Sequence, residues 1–436
     1  MKMLRMLVLL STLLAVVACG GQITPGETPT GSSRIIITNG TVVDGRGSEP
    51  ISDGIVVVVD DRIAFVGKAS DYPDRTHSQV IDARGGTILP GIIDAHVHGA
   101  SDPAIRRKFL MSGVTAVCDL GFPLADMVRF DEGYLDHNPV ARGFRAGPII
   151  TAPGGLPDAV LHQDLNYEVG SPDEARAAVV DLYSRGADVI KVYLQEEDSG
   201  VTYPMLGEAE LAAVVEEAHG HGLLVRAHVT YASLMGMAIQ AGVDTIEHVP
   251  VNVTQSEFQR ISDSRWRALF ESDDPLQVFF ADLYPQYDSQ LEKMAQAGIA
   301  MVPALEDFYR TSRSAGEPEA AIEIILGIVH RFHELGGVVG LGTDYIIGTG
   351  MEAGMPLGEM EMLLAAGLTP MEVIEAGTRH SAYVCGHSGE LGTLEPGMLA
   401  DVIVLDGDPL EDLQAMSQVV LVIKNGEIAV ASDLIP

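Results

Sequence analysis

Six residues, taken in chain order, have the types that metal-activated hydrolysis needs: His96, His98, Lys191, His228, His248 and Asp344. His96 and His98 stand one residue apart in Gly91-Ile92-Ile93-Asp94-Ala95-His96-Val97-His98-Gly99. Side chains alternate along a strand, so the two imidazoles point the same way and can share one ion. Lys191 lies within Ala187-Asp188-Val189-Ile190-Lys191-Val192-Tyr193-Leu194, an apolar run whose burial favours the neutral amine. A neutral amine adds carbon dioxide to form a carbamate, which turns a cation into an anionic ligand able to bridge two metals. The chain has only six lysines, which weakens the account of this one as surface decoration. His228 ends Leu223-Leu224-Val225-Arg226-Ala227-His228, and His248 ends Val243-Asp244-Thr245-Ile246-Glu247-His248. Asp344 ends Val338-Val339-Gly340-Leu341-Gly342-Thr343-Asp344, where two glycines let the backbone pass close to a site.

Positioning these groups requires strands whose ends meet. Apolar runs near 91–98, 113–120, 147–152, 187–193, 222–229, 243–248, 299–303 and 337–344 alternate with helical stretches, the pattern of parallel β/α units. Eight such units predict an α/β fold, a (β/α)8 TIM barrel with its chemistry at the C-terminal strand ends. Ser171 is placed to cap a helix opening at Pro172, and 207–221 reads as another helix. The 34–89 stretch, with its Asn39-Gly40 and Asp60-Asp61 turns, reads as short strands, and that texture returns at 400–405 and 419–423. A small β-sandwich domain built from both chain ends follows. The spans are a leader at 1–19, a tether at 20–33, β-sandwich at 34–89, barrel at 90–385 and β-sandwich again at 386–436. Aromatic residues crowd 251–287, an excursion over the active face that reads as a lid or substrate wall.

With 436 residues, 47% hydrophobic and 20% charged, the chain can bury a large core. Its 61 acidic against 27 basic residues, a formal charge of −34, argue against nucleic acid as a partner. Lys2 and Arg5 precede an apolar run from Leu7 to Val17, a secretory signal too short to span a bilayer comfortably. The run closes on Val16-Val17-Ala18-Cys19, which resembles the bacterial lipobox, with Cys19 as the lipidated residue. The expectation is an exported body anchored by lipid to a bacterial membrane, facing the periplasm. Cys118 and Cys385 are the remaining cysteines, and Cys118 reads as a buried thiol.

His96-x-His98, Lys191, His228, His248 and Asp344, in this order, resemble the metal site of the amidohydrolase superfamily. The resemblance extends to Leu89-Pro90-Gly91-Ile92-Ile93-Asp94, to 241–248 and to Pro396-Gly397-Met398-Leu399-Ala400-Asp401. It implies that His96, His98 and Asp344 hold one divalent ion, that His228 and His248 hold a second, and that carboxylated Lys191 bridges them. Zinc is the expected metal (Zn2+ in both positions). Such ions lower the pKa of a bridging water so that hydroxide exists near neutral pH, and Asp344 can pass its proton to the leaving nitrogen. Deaminases of the superfamily carry a glutamate three residues after the fifth-strand histidine, where this chain has Tyr231. The 190–193 run and the spacing to Glu247-His248 are similar to the imidazolonepropionase-like and prolidase-like group. Gly154-Gly155-Leu156 departs from the Gly-Gly-His of many of those relatives.

The implied activity is hydrolysis of amide C–N bonds in small molecules such as dipeptides, N-acyl amino acids or cyclic amides. The same hydroxide also attacks esters, lactones and phosphotriesters, which form the alternative; a non-catalytic binding protein is disfavoured because no ligand is missing. Tyr193, Tyr231, His162 and Arg226 are the candidates for substrate contact. The partners implied are a small-molecule substrate and a membrane surface reached through Cys19; a homo-oligomer is compatible with these features.

Overall fold

The computed structural model describes residues 33–132, 139–316, 318–346 and 351–432. The stretches expected as a leader with Cys19 and as a tether, up to residue 32, lie outside the described residues.

Both chain ends enter one sheet of eight strands: Arg34–Val42, Ile51–Val59, Arg62–Lys68, Gln79–Asp82, Thr87–Pro90, Val402–Leu405, Val419–Lys424 and Glu427–Ala431. Where two packed sheets were expected, the strands are hydrogen-bonded as one. Arg34–Val42 makes this continuity: residues 35–38 pair with Gln79–Asp82, and Thr41 and Val42 pair with Thr87 and Ile88. Irregular register around Gly40 allows the strand to change partners, because a bulge bends the strand and sharpens its twist. Ile37, Val56, Val58, Val404 and Leu421 fill one core between the two ends of this sheet.

The body carries parallel strands. Ile92–Val97, Val114–Asp119 and Arg142–Arg145 form one group. Asn166–Glu168, Ile149–Thr151, Val189–Leu194, Leu224–Val229, Thr245–Glu247 and Ala300–Val302 form another. Hydrogen bonds join the groups at both sides. Asp188 N donates to Arg145 O at 2.8 Å, while Gly340 N donates to Met301 O at 2.8 Å and Ala95 N to Leu341 O at 2.9 Å. The eighth expected strand, 337–344, is present as bridging contacts rather than a ladder. Glycine is required there: a Cβ on Gly342 would come within 2.6 Å of both His96 Cβ and Val302 Cγ1. Arg142–Arg145 and Asn166–Glu168 were not expected as strands, since Arg-Gly-Phe-Arg and Asn-Tyr-Glu carry no apolar run.

Helices pack outside these strands, among them Pro172–Ser184, Glu208–Gly220, Tyr287–Ala297 and Glu319–Glu334. Ser171 caps the first of them as expected, its hydroxyl accepting from Glu174 N at 3.3 Å. The aromatic 251–287 excursion folds into short helices, Gln255–Arg260, Asp263–Phe270 and Pro275–Val278, followed by a π-helical turn at Phe279–Leu283. Among the described residues no helix is long and apolar enough to cross a membrane.

Asp401 ties the terminal sheet to the body. It accepts from Asn425 N at 2.8 Å, lies 3.1 Å from Lys424 Nζ, and stands 3.7 Å from Arg142 on a body strand. Lys424 is buried, and that burial lowers its ammonium to about 8 even beside Asp401. Asp401→Ala leaves this cation without its counter-charge and is expected to cost roughly 3–5 kcal/mol of stability. Denaturant midpoints compared for the two proteins check this; an unchanged midpoint would show that the tie is dispensable.

Candidate metal centre

His96, His98, Lys191, Tyr193, His228, His248 and Asp344 line one cavity of about 640 Å³. The local backbone explains the convergence. Asp344 N donates to His96 O at 2.8 Å and His248 N to Val302 O at 2.9 Å, so each residue is fixed against a neighbouring strand. Both residues hold left-handed φ values, 53° for Asp344 and 68° for His248. Non-glycine residues take that conformation rarely, and here it turns the two side chains at the strand ends. Asp94 holds the turn before Asp344 by accepting from Thr343 N at 3.0 Å and Thr343 Oγ1 at 2.7 Å.

The ring nitrogens are oriented from behind. His98 Nδ1 faces Gly121 O at 3.2 Å, which leaves Nε2 3.2 Å from Asp344 Oδ1. His96 Nδ1 lies 2.9 Å from Glu247 Oε2, and its Nε2 lies 3.3 Å from the same Asp344 oxygen. His96, His98 and Asp344 therefore present three ligand atoms close enough together to hold one ion. His248 Nε2 stands 3.9 Å from the other Asp344 oxygen, and the His228 and His248 rings meet edge-on at 4.6 Å. Lys191 Nζ is buried beside them with no hydrogen-bond partner among the described residues. That amine, aimed into a nest of imidazoles and a carboxylate, fits conversion to an anionic ligand better than retention as an ammonium.

Electrostatics follow the burial. Burial lowers His96 to about 3 and is the chief cause that holds His228 well below its ordinary value. Both rings are consequently neutral and have lone pairs to give. Burial pushes Asp344 up, but the histidines around it, with the hydrogen bond from His98, outweigh it and hold the carboxyl well below its ordinary range. Lys191 is lowered to about 8, chiefly by burial.

The four residues expected to touch substrate separate. Tyr193 lines the cavity and stacks on His228, centroids 3.8 Å apart and planes within 8°, because the two residues are register partners on adjacent strands. Arg226 is fully buried beneath the site, bidentate to Glu247 at 2.8 and 2.9 Å and donating to Ala95 O at 2.7 Å. Tyr231 is buried, its hydroxyl donating to Glu197 O at 3.0 Å, and it lines a different cavity. His162 is exposed just past the short helix Asp158–Leu161; its neighbours Leu161 and Gln163 line the centre instead.

Sequence reasoning missed Gln195, Glu247 and Asp94. Arg226 and Glu247 do leave a signal, since opposite charges in two adjacent apolar strands have to pair. Gln195 leaves none. Its Oε1 accepts from Thr230 Oγ1 at 3.0 Å and faces His228 Nε2 at 2.9 Å, while its Nε2 donates to Glu197 O at 2.8 Å. With that oxygen as acceptor, His228 carries its proton on Nε2 and keeps Nδ1 for a metal. Gln195→Leu is expected to weaken any ion bound by His228 and His248 roughly 10–100-fold, with Gln195→Glu restoring most of it. Metal titration by calorimetry reads this, and wild-type affinity in the leucine variant would remove Gln195 from that role.

Comparison with known proteins places this geometry in a lineage. The Amidohydrolase family profile matches residues 87–429. The ochratoxinase of Aspergillus niger is 25% identical over 429 residues, covering 88% of this chain and 83% of that protein. The enamidase of Eubacterium barkeri is 27% identical over 413 residues, covering 86% and 87%. The crystal structure of a putative prolidase from Bifidobacterium longum superimposes with a TM-score of 0.70 at 26% identity, covering 91% of this chain and 94% of that one. The match runs from the strand that leads into His96 to the last strand of the terminal sheet, and the chain belongs to the amidohydrolase family.

Proposed function

We propose that the protein hydrolyses amide C–N bonds in small molecules, of the kind found in dipeptides, N-acyl amino acids and cyclic amides. The observation that carries this is the meeting of all six residues at one cavity, with the Lys191 amine buried among them and unpartnered. Relatives named enamidase and prolidase support a C–N bond as the target. The hydrogen bonds that join the two groups of parallel strands support closure into a (β/α)8 barrel, with these residues at its C-terminal mouth.

The donor set fits two divalent ions, with zinc suited to imidazole and carboxylate. His96, His98 and Asp344 would hold one, His228 and His248 the other, and Lys191 as its carbamate would lie between. Ions bound there would supply an acidified water near neutral pH and a Lewis acid for the substrate carbonyl. Asp344, kept ionised by its histidine neighbours, takes the proton of the attacking water and returns it to the leaving nitrogen. A C–O bond forms as the C–N bond breaks, and the products are a carboxylate and an amine. Tyr193 packs the His228 ring from one face while Gln195 fixes its edge.

Lys191→Ala is expected to lower kcat/KM by more than the roughly 100-fold that loss of an outer partner costs a metal site. Short carboxylic acids added to that variant should restore part of the rate, and chelation of the wild type should abolish it. Dipeptides, N-acyl amino acids, lactones and phosphotriesters assayed side by side with metal-loaded protein identify the bond; a preference for the last two classes would replace the amide reading. The same proposal includes export and a lipid on Cys19 that holds the protein at a membrane surface. Cys19→Ser is expected to lose incorporation of labelled palmitate and to leave the membrane fraction, and a variant still labelled and membrane-bound would refute the anchor.

A further inference from the structure

A second cavity, of about 400 Å³, lies beside the metal centre and has no part in the chemistry above. Tyr231, Asn252, Phe258, Trp266, Phe270 and Phe308 are among its walls, and no charged side chain lines it among the described residues. Its floor is rooted at the ends of the same strands that carry the metal ligands. Tyr231 stands three residues beyond His228, and Asn252 four beyond His248. The two segments are stitched together by Asn252 N donating to Thr230 O at 2.8 Å and Ala232 N to Asn252 O at 3.2 Å. Glu197 fastens the wall to this floor, its backbone oxygen accepting from Tyr231 and its carboxylate from Gln255 N at 2.9 Å.

The aromatic excursion offers ring faces that the core does not use. Phe258 stacks on Trp266 with centroids 5.0 Å apart, and Trp266 on Phe270 at 6.1 Å. Phe258 and Phe270 nevertheless remain 49% and 45% exposed, so two large rings border the cavity with much of their surface uncovered. A volume of 400 Å³ falls within the roughly 300–1,000 Å³ of small-molecule sites. The uncovered surfaces of these outer rings suit contact with an apolar ring, and the lack of charge selects an uncharged one.

We propose that this cavity receives an uncharged aromatic group of the substrate, held away from the scissile bond while that bond lies at the metal centre. The proposal rests on the amide-hydrolase reading and narrows it to substrates with a ring on a short tether. Trp266 is the only tryptophan in the chain, so its fluorescence reports on this cavity alone.

Product-like acids are not consumed and can be titrated into the metal-loaded protein. Benzoate, phenylacetate and 4-phenylbutyrate are compared with butyrate by calorimetry and by Trp266 emission. At least one ring acid is expected to bind about 10-fold or more tightly than butyrate and to shift the emission saturably, since burying a ring is worth more than one factor of ten. Ala321→Leu and Ala321→Phe, which fill the cavity in two steps, should erase that advantage in order while butyrate affinity stays the same. Ring acids that bind no better than butyrate, an indifferent Trp266, or an advantage kept in both variants would overturn the proposal. Hydrolysis is measured separately: ring-acid binding without amide turnover defeats the amide reading and leaves the cavity's ring preference standing.

Discussion

Arg226 and Glu247 form an ion pair with neither side chain exposed, and the candidate metal centre is assembled on top of it. Taking both charges out of water is costly unless each is held by close, well-directed partners. Arg226 meets the requirement with two bonds to Glu247 and one to Ala95 O; Glu247 meets it by also facing His96 Nδ1. Burial alone would push Glu247 up, but Arg226, with the hydrogen bond from His96, holds it well below its ordinary value, so it stays an anion under His96. Three strands are thereby locked in register, and the His96 ring is turned so that Nε2 faces Asp344.

The rest of the site repeats this arrangement with weaker partners. Gly121 O orients His98, Gln195 orients His228, and Thr343 with Asp94 holds the turn that ends in Asp344. The His96, His98 and His228 rings thus have their orientation fixed by Glu247, Gly121 O and Gln195, as ordered metal ligands generally do. Asp94 illustrates the cost: burial pushes it to about 7 despite three hydrogen bonds from Thr343 and His96. A carboxyl so far from water is kept for geometry, and its neighbours gain a fixed turn.

Much of this was legible in the sequence. His96 and His98 could be placed on one face of a strand, and the alternation of apolar and helical runs placed Lys191 within the fourth run and His228, His248 and Asp344 at the ends of the fifth, sixth and eighth. What could not be read were contacts that depend on register and on side-chain reach. Arg226 shares the strand of His228, and periodicity alone cannot tell a residue that faces substrate from one that faces a buried glutamate. Tyr231 and His162 lie past the ends of their elements, where a turn or a left-handed residue decides direction; His162 itself has a φ of 54°. Gln195 is one polar residue after a strand, and only the register of Tyr193 with His228 brings it to that ring. The sheet of the chain ends was legible as strands, while its continuity depended on one irregular strand around Gly40.

That sheet also sets an order of events in time. Thr87–Pro90 finds its antiparallel partner in Val402–Leu405, and Thr87 Oγ1 bonds to Gly407 O across 320 residues of chain. Strands completed early in synthesis therefore keep an open edge until Val402–Leu405 emerges. Non-local pairing of this kind slows folding, and unpaired edges invite association between chains. A nascent chain of this protein has the strands that carry His96, His228 and His248 before it has the strand that seals their neighbouring sheet, so a period of vulnerability to aggregation runs until Val402–Leu405 emerges.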